Sequence, residues 1–154
     1  GDLYQWGRNS DGHQIRTSGT ATGPVASGSE GINFITGSDW LITQDNTRWN
    51  GSTKGTHDPC PSGFRVPTEA EWEAERELFA TNNAAGAFAS KLKLPVAGYR
   101  NYPTGWLVDV GSNGNYWSST VSVAHARNLY FGSSIANMYS TKRAYGFSVR
   151  CIKE

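Results

Sequence analysis

No apolar run in this chain approaches the roughly 20 consecutive residues a membrane-spanning helix needs, and no signal-peptide pattern is present. Direct membrane insertion is therefore not expected. Charge of one sign is also missing. The net charge is +1 and no basic block exceeds a residue pair. That leaves no electrostatic grip for nucleic acid. Methionine occurs once and cysteine twice in 154 residues, while six Trp, seven Tyr and six Phe stand among 18 Gly. Large rigid aromatics separated by glycine predict a small core with many ordered turns, not a helical bundle. The length fits one domain over 1–154 with one core. The chain opens at Gly1 without a Met, and Asp2-Leu3-Tyr4 already looks structured, so it reads as a domain cut from a longer or processed protein.

The two cysteines, Cys60 and Cys151, are far apart. A pair alone cannot make a four-ligand zinc site, and no histidine cluster accompanies either one. Two buried free thiols are one reading. A disulfide is the favoured one. It would close a loop of about 90 residues and stabilise by roughly 4–5 kcal/mol, in an oxidising compartment.

Residues 1–59 are polar and turn-rich, with Trp6, Trp40 and Trp49 as anchors, and Trp40-Leu41-Ile42 is their best strand. Gly19 to Gly31 reads as a surface excursion. After Pro67, Thr68-Glu69-Ala70-Glu71 is a capping box that starts a helix. Its expected apolar face is Ala70, Ala74, Leu78 and Phe79, with Trp72 flanking and the acidic run Glu69, Glu71, Glu73, Glu75, Glu77 solvated. A weaker helix follows from Ala84 to Lys91. Strands are expected at 94–99, 115–119, 127–131 and 146–152, with loops at 102–114, 120–126 and 132–145. Pro95 makes the first of these an edge strand. The class is α+β: one or two helices on a small antiparallel sheet.

Four phrases carry a family resemblance: Gly1-Asp2-Leu3-Tyr4-Gln5-Trp6-Gly7-Arg8, the run Asp58 to Trp72, Tyr116-Trp117-Ser118-Ser119-Thr120, and Arg143 to Cys151. In this order they resemble the FISUMP domain (Fibrobacter major paralogous domain) of surface and secreted bacterial proteins. The resemblance implies a C-type-lectin-like fold. The C-terminal third is also similar to the variable proteins of diversity-generating retroelements, in which a Trp-Ser-Ser and Gly-Phe-Ser-Val-Arg framework holds diversified positions that contact ligand. It implies an extracellular or cell-surface place, lipoprotein-anchored or on a phage virion, and a protein or glycan partner.

The residues support the same reading. With Trp117, Leu129, Phe131, Phe147 and Val149 inward, the outward set is Tyr102, Trp106, Val108, His125, Tyr130, Ile135, Met138, Tyr139 and Thr141. Tyrosine and tryptophan among Ser, Gly and Asn are what a binding surface uses. Of these, Trp106 is the one most exposed to capture by the core. The expected function is non-catalytic ligand recognition through 102–142. A structural or fimbrial-tip module is the alternative.

Enzyme readings fare worse. Arg65 to Trp72 also looks like a phrase of formylglycine-generating enzymes and iron-dependent sulfoxide synthases, which rest on a reactive cysteine pair or a histidine metal site. Here the cysteines are better spent on a bridge. His13, His57 and His125 lie in separate polar segments and read as surface residues. Calcium-dependent sugar lectins resemble Glu-Pro-Asn, Gln-Pro-Asp or Trp-Asn-Asp triplets. None occurs here, Trp49-Asn50-Gly51 being the nearest approach. No metal or cofactor is expected.

Overall fold

The computed structural model describes all 154 residues, which alternate very short strands with long ordered turns. β1 (Tyr4–Gln5), β2 (Thr20–Thr22), β3 (Phe34–Thr36) and β4 (Phe64–Arg65) precede helices α1 (Glu69–Arg76) and α2 (Ala84–Ala89). β5 (Tyr99–Arg100), β6 (Leu107–Val108), β7 (Gly114–Ser122), β8 (His125–Phe131), β9 (Ala136–Lys142), β10 (Gly146–Phe147) and β11 (Ile152–Lys153) follow. The class is α+β. The central feature is an antiparallel sheet ordered β7-β8-β9. A second sheet, β1-β10-β5-β6, is also antiparallel. β4 pairs antiparallel with β11, and β2 pairs parallel with β3.

Alternation along β7–β9 sorts the side chains onto two faces. Tyr116, Leu129, Phe131, Ala136 and Met138 pack with Trp72 of α1, Phe79 and Ala87 of α2. Gly114 makes this possible, because a Cβ there would collide with the Phe131 ring. The opposite face meets the chain ends at Trp117 and Ala126, which join Trp6, Trp49, Cys60, Val66 and Phe147 in a second core. Ile35, Trp40 and Leu41 form a third, smaller cluster.

The capping box forms: Thr68 Oγ1 accepts from the Glu71 amide, and the Glu71 carboxylate accepts from the Thr68 amide. Of the expected apolar face only Phe79 is buried. α1 turns Trp72 inward, whereas Ala70, Ala74 and Leu78 are exposed. Burying one indole, whose Nε1 donates to Trp117 O at 3.0 Å, outweighs burying two methyl groups. The helix also ends at the Glu77 cap, so Leu78 lies beyond it. The acidic residues are not simply solvated. Glu71 holds Arg65 with two bonds, Glu69 pairs with Arg127 at 2.7 Å, and Glu73 with Arg76 at 2.6 Å.

Other expectations are corrected. Trp40-Leu41-Ile42 makes a single bridge, Leu41 to Val25, instead of a strand. The 94–99 stretch reaches strand geometry only at Tyr99. The last strand breaks in two: β10 joins one sheet, Ser148 bridges to Tyr116, and β11 pairs with β4. Val149 is accordingly half-buried, not a core residue. The loops expected at 120–126 and 132–145 are largely a hairpin and β9.

His13 is fully buried, not at the surface. Its Nε2 accepts from the Gln5 amide at 3.0 Å, so the proton sits on Nδ1 and is donated to Asp11 at 2.6 Å. Burial holds the imidazole well below its ordinary value, at about 4. The Asp11 bond opposes this shift, while the Arg8 and Arg100 guanidiniums add to it.

Two outcomes are expected. Cys60 and Cys151 form a disulfide across a sequence separation of 91, so replacing both by Ala should lower unfolding free energy by about 4–5 kcal/mol in denaturant titration. Between pH 6.5 and about 4 the unfolded chain protonates His13 and the folded protein does not. Stability is therefore full above pH 6.5 and falls by roughly 3 kcal/mol as pH drops toward 4. Titration by thermal melting should show this slope, and His13→Gln should flatten it.

Candidate functional site

Beyond the second core, the outer face of β7–β9 opens into a groove of about 520 Å³. Asn115, Asn128, Tyr130, Tyr139 and Thr141 form its floor, all on the face turned away from α1. Tyr99, Tyr145 and Phe147 make one wall, and Asp109, Asn113 and Ile135 part of the rim. Four of the seven tyrosines thus line one cavity.

The floor is held by a directional chain of hydrogen bonds. Thr141 Oγ1 donates to Asn128 Oδ1 at 2.6 Å, and Asn128 Nδ2 donates to Asn115 Oδ1 at 3.3 Å. Asn115 and Asn128 are both buried, and their registers on adjacent strands place them diagonally across one face. At the rim, the Tyr130 hydroxyl donates to Asn113 Oδ1 at 3.3 Å, and Asn113 Nδ2 donates to Asp109 Oδ2 at 2.8 Å. Asp109 has φ +55°, a left-handed conformation that Asp tolerates better than most residues.

The rings are ordered by edge contacts. Tyr130 and Tyr139 meet edge-on at 5.6 Å, Tyr99 and Tyr145 at 5.7 Å, and Tyr145 stacks on Phe147 at 5.5 Å. Burial raises the Tyr99 phenol above its ordinary pKa, with the Asp109 carboxylate adding to the shift. Burial raises Tyr145 as well, with Lys142 opposing. Both phenols are hydrogen-bond donors at neutral pH.

Of the outward residues expected from sequence, Tyr130, Ile135, Tyr139 and Thr141 line the groove. Tyr102 adjoins it, packing edge-on against Tyr145 at 4.9 Å beneath the Lys142 ammonium. Val108 pairs with Tyr99 and so backs the wall. Trp106 is not taken by the core: it is 73% exposed in the β5–β6 turn. His125 starts β8 opposite Ser122 and Lys142 and does not line the groove. Met138 is a correction. It is buried against the helices, because β9 alternates and Met138 shares the inward face with Ala136.

Sequence reasoning missed Tyr99, Asp109, Asn113, Asn115, Asn128 and Tyr145. The two asparagines alternate with Tyr116 and Leu129, so strand periodicity carried a signal for them. Tyr99, Asp109 and Tyr145 reach the site only through the pairing of β5, β6 and β10, which the sequence does not announce. Elsewhere, three or more His, Cys, Asp or Glu side chains nowhere converge as a metal site would require.

The fold and groove together describe a small disulfide-linked α+β domain with a tyrosine-lined cavity on its central sheet. Residues 74–152, about half of the chain, match the family described as domain of unknown function DUF8237, and the chain belongs to that family. The matched segment contains every residue that lines the groove. No curated protein and no solved structure matches the chain.

Buried and exposed residues of the floor should separate in mutagenesis. Asn128→Ala strands the buried Asn115 Oδ1 and the half-buried Thr141 hydroxyl, and should destabilise by about 1–3 kcal/mol. Tyr139, 42% exposed, should cost less than about 1 kcal/mol as Tyr139→Ala. Paired denaturation curves measure both.

Proposed function

We propose that this domain is a non-catalytic recognition module that binds its partner in the groove on β7–β9. The observation that carries the reading is the lining itself: four tyrosines and two buried asparagines on a floor fixed from behind by the helices. Tyrosine contributes large contact area at low entropic cost, and amides supply orienting hydrogen bonds. Such groups hold a ligand, and the lining offers no nucleophile paired with a base. This supports recognition over turnover.

Two helices, short antiparallel sheets and long ordered turns support a C-type-lectin-like fold of FISUMP type. In that reading the groove corresponds to the diversified surface of retroelement variable proteins. The disulfide, in a chain with no helix long and apolar enough to cross a membrane, is compatible with an extracellular location. Display on a bacterial surface or a phage virion, with a protein or glycan partner, follows as part of the proposal.

The test uses labelled domain on a panel of bacterial and eukaryotic cells read by flow cytometry. Wild type should mark a subset of cells. Tyr130→Ala/Tyr139→Ala should lose most of that signal, since a few aromatic anchors dominate binding, while its melting temperature stays within a few degrees of wild type. Undiminished binding by the folded double variant would move recognition to another surface, and unfolding of that variant would make the two tyrosines structural.

A further inference from the structure

The open hydrogen-bonding groups of the groove define the chemistry of its occupant. The chain from Thr141 through Asn128 ends at Asn115, whose Oδ1 is occupied. Its Nδ2 has no acceptor within the protein, although the residue is 6% exposed and lines the groove. Across the rim, Asp109 Oδ2 takes the Asn113 amide and Oδ1 is free. One unpaired amide donor and one unpaired carboxylate oxygen therefore line the same cavity. A ligand that covers either group without pairing it removes that group from water with no hydrogen bond in return.

Hydroxyl groups answer both, because each donates one hydrogen bond and accepts two. An anion gains nothing here. Asp109 repels it, no Lys or Arg lines the groove, and Lys142 is turned onto the Tyr102 ring. A cation would satisfy Asp109 and leave the Asn115 donor unanswered. An extended peptide would be read through the edge of a strand, whereas the open groups here project from a sheet face. The remaining demand comes from the Tyr99, Tyr130 and Tyr139 rings, which call for an apolar face on the same molecule. A sugar ring combines C–H faces with peripheral hydroxyls, and about 520 Å³ falls within the roughly 300–1,000 Å³ of small-molecule sites.

We propose that the groove takes a neutral saccharide without a metal ion, Asn115 donating to one hydroxyl, Asp109 accepting from another, and Tyr139 stacking on the ring. The proposal rests on the recognition reading above and names its ligand class.

The experiment is a printed array of neutral, sialylated and sulfated glycans with a random-peptide array beside it, probed with the intact domain in EDTA. Neutral glycans should be retained. Their half-saturating concentration should rise about tenfold or more in Tyr139→Ala and in Asn115→Asp, the latter nearly isosteric and still able to accept from Asn128. Tyr139→Phe should bind like wild type, because it keeps the ring. Melting curves confirm that each variant is folded. Binding lost in EDTA, binding confined to charged glycans, absence of any glycan signal, or neutral binding indifferent to both substitutions overturns the proposal. Peptides that bind wild type and not Tyr139→Ala would also overturn it, yet leave the recognition reading intact. The recognition reading itself fails only if every bound class ignores the Tyr130 and Tyr139 substitutions.

Discussion

Five indole N–H groups, each donating to a backbone carbonyl distant in the chain or across a turn, hold this fold together. Trp72 donates to Trp117 O, Trp117 to Tyr4 O, Trp6 to Ser118 O, Trp40 to Trp6 O and Trp49 to His57 O. Two of these bonds end on Trp117 and Ser118 of β7, and a third starts there. The helix, the first strand and the N-terminal turns are thus referred to one point on the central sheet. The need is physical. Only 30 of 68 backbone hydrogen bonds lie within helices and strands, so most of the chain lacks a ladder to fix it. A buried indole supplies area and one directional bond together.

Buried arginines complete what the indoles begin. Arg8 donates to Asn33 O, Arg100 to Gly105 O and Ser18 O, and Arg143 to His125 O and Val123 O. Each guanidinium also lies over an aromatic ring, Trp40, Phe34 and Trp6 respectively. Loop carbonyls that would be costly to bury unpaired are thereby satisfied. Gln5 adds a hub, its side chain bonded to Ile35, Ala144 and Arg8. With the frame fixed at one end of the sheet, the other end needs no core and can present Tyr130 and Tyr139 beside the buried Asn115 and Asn128. The groove exists because the second core stops at Trp117 and Phe147.

What was hard to read in the sequence shares a cause. The β7–β8 hairpin turns at Val123-Ala124, where Val123 has φ +55° and is 93% exposed. Glycine or asparagine normally marks such a turn, and a β-branched residue gives no warning. β9 reads Ala-Asn-Met-Tyr-Ser-Thr-Lys, so polar residues on its outer face hide its alternation. His13 lies in a polar segment, yet Gln5 and Asp11 pair both its nitrogens and let it be buried. In each case the deciding partner comes from another segment.

The sequence by itself determined the α+β class, the capped helix after Pro67, the Cys60–Cys151 bridge, and the inward set Trp117, Leu129, Phe131 and Phe147. These are local or pairwise matters: cap chemistry, strand periodicity and the pairing of the two cysteines present. It also marked Tyr130 as outward, through alternation with Leu129 and Phe131, and Tyr139 as outward in an expected loop. Only the tertiary structure decided that Trp72, not the alanines, faces the sheet, and that Met138 goes in while Trp106 stays out. It alone brought Tyr99, Asp109 and Tyr145 beside Asn115 and Asn128. Those residues meet through the pairing of β1, β10, β5 and β6, strands of two residues each. Elements that short carry no periodicity of their own, so their positions are set by the burial of the aromatic side chains around them.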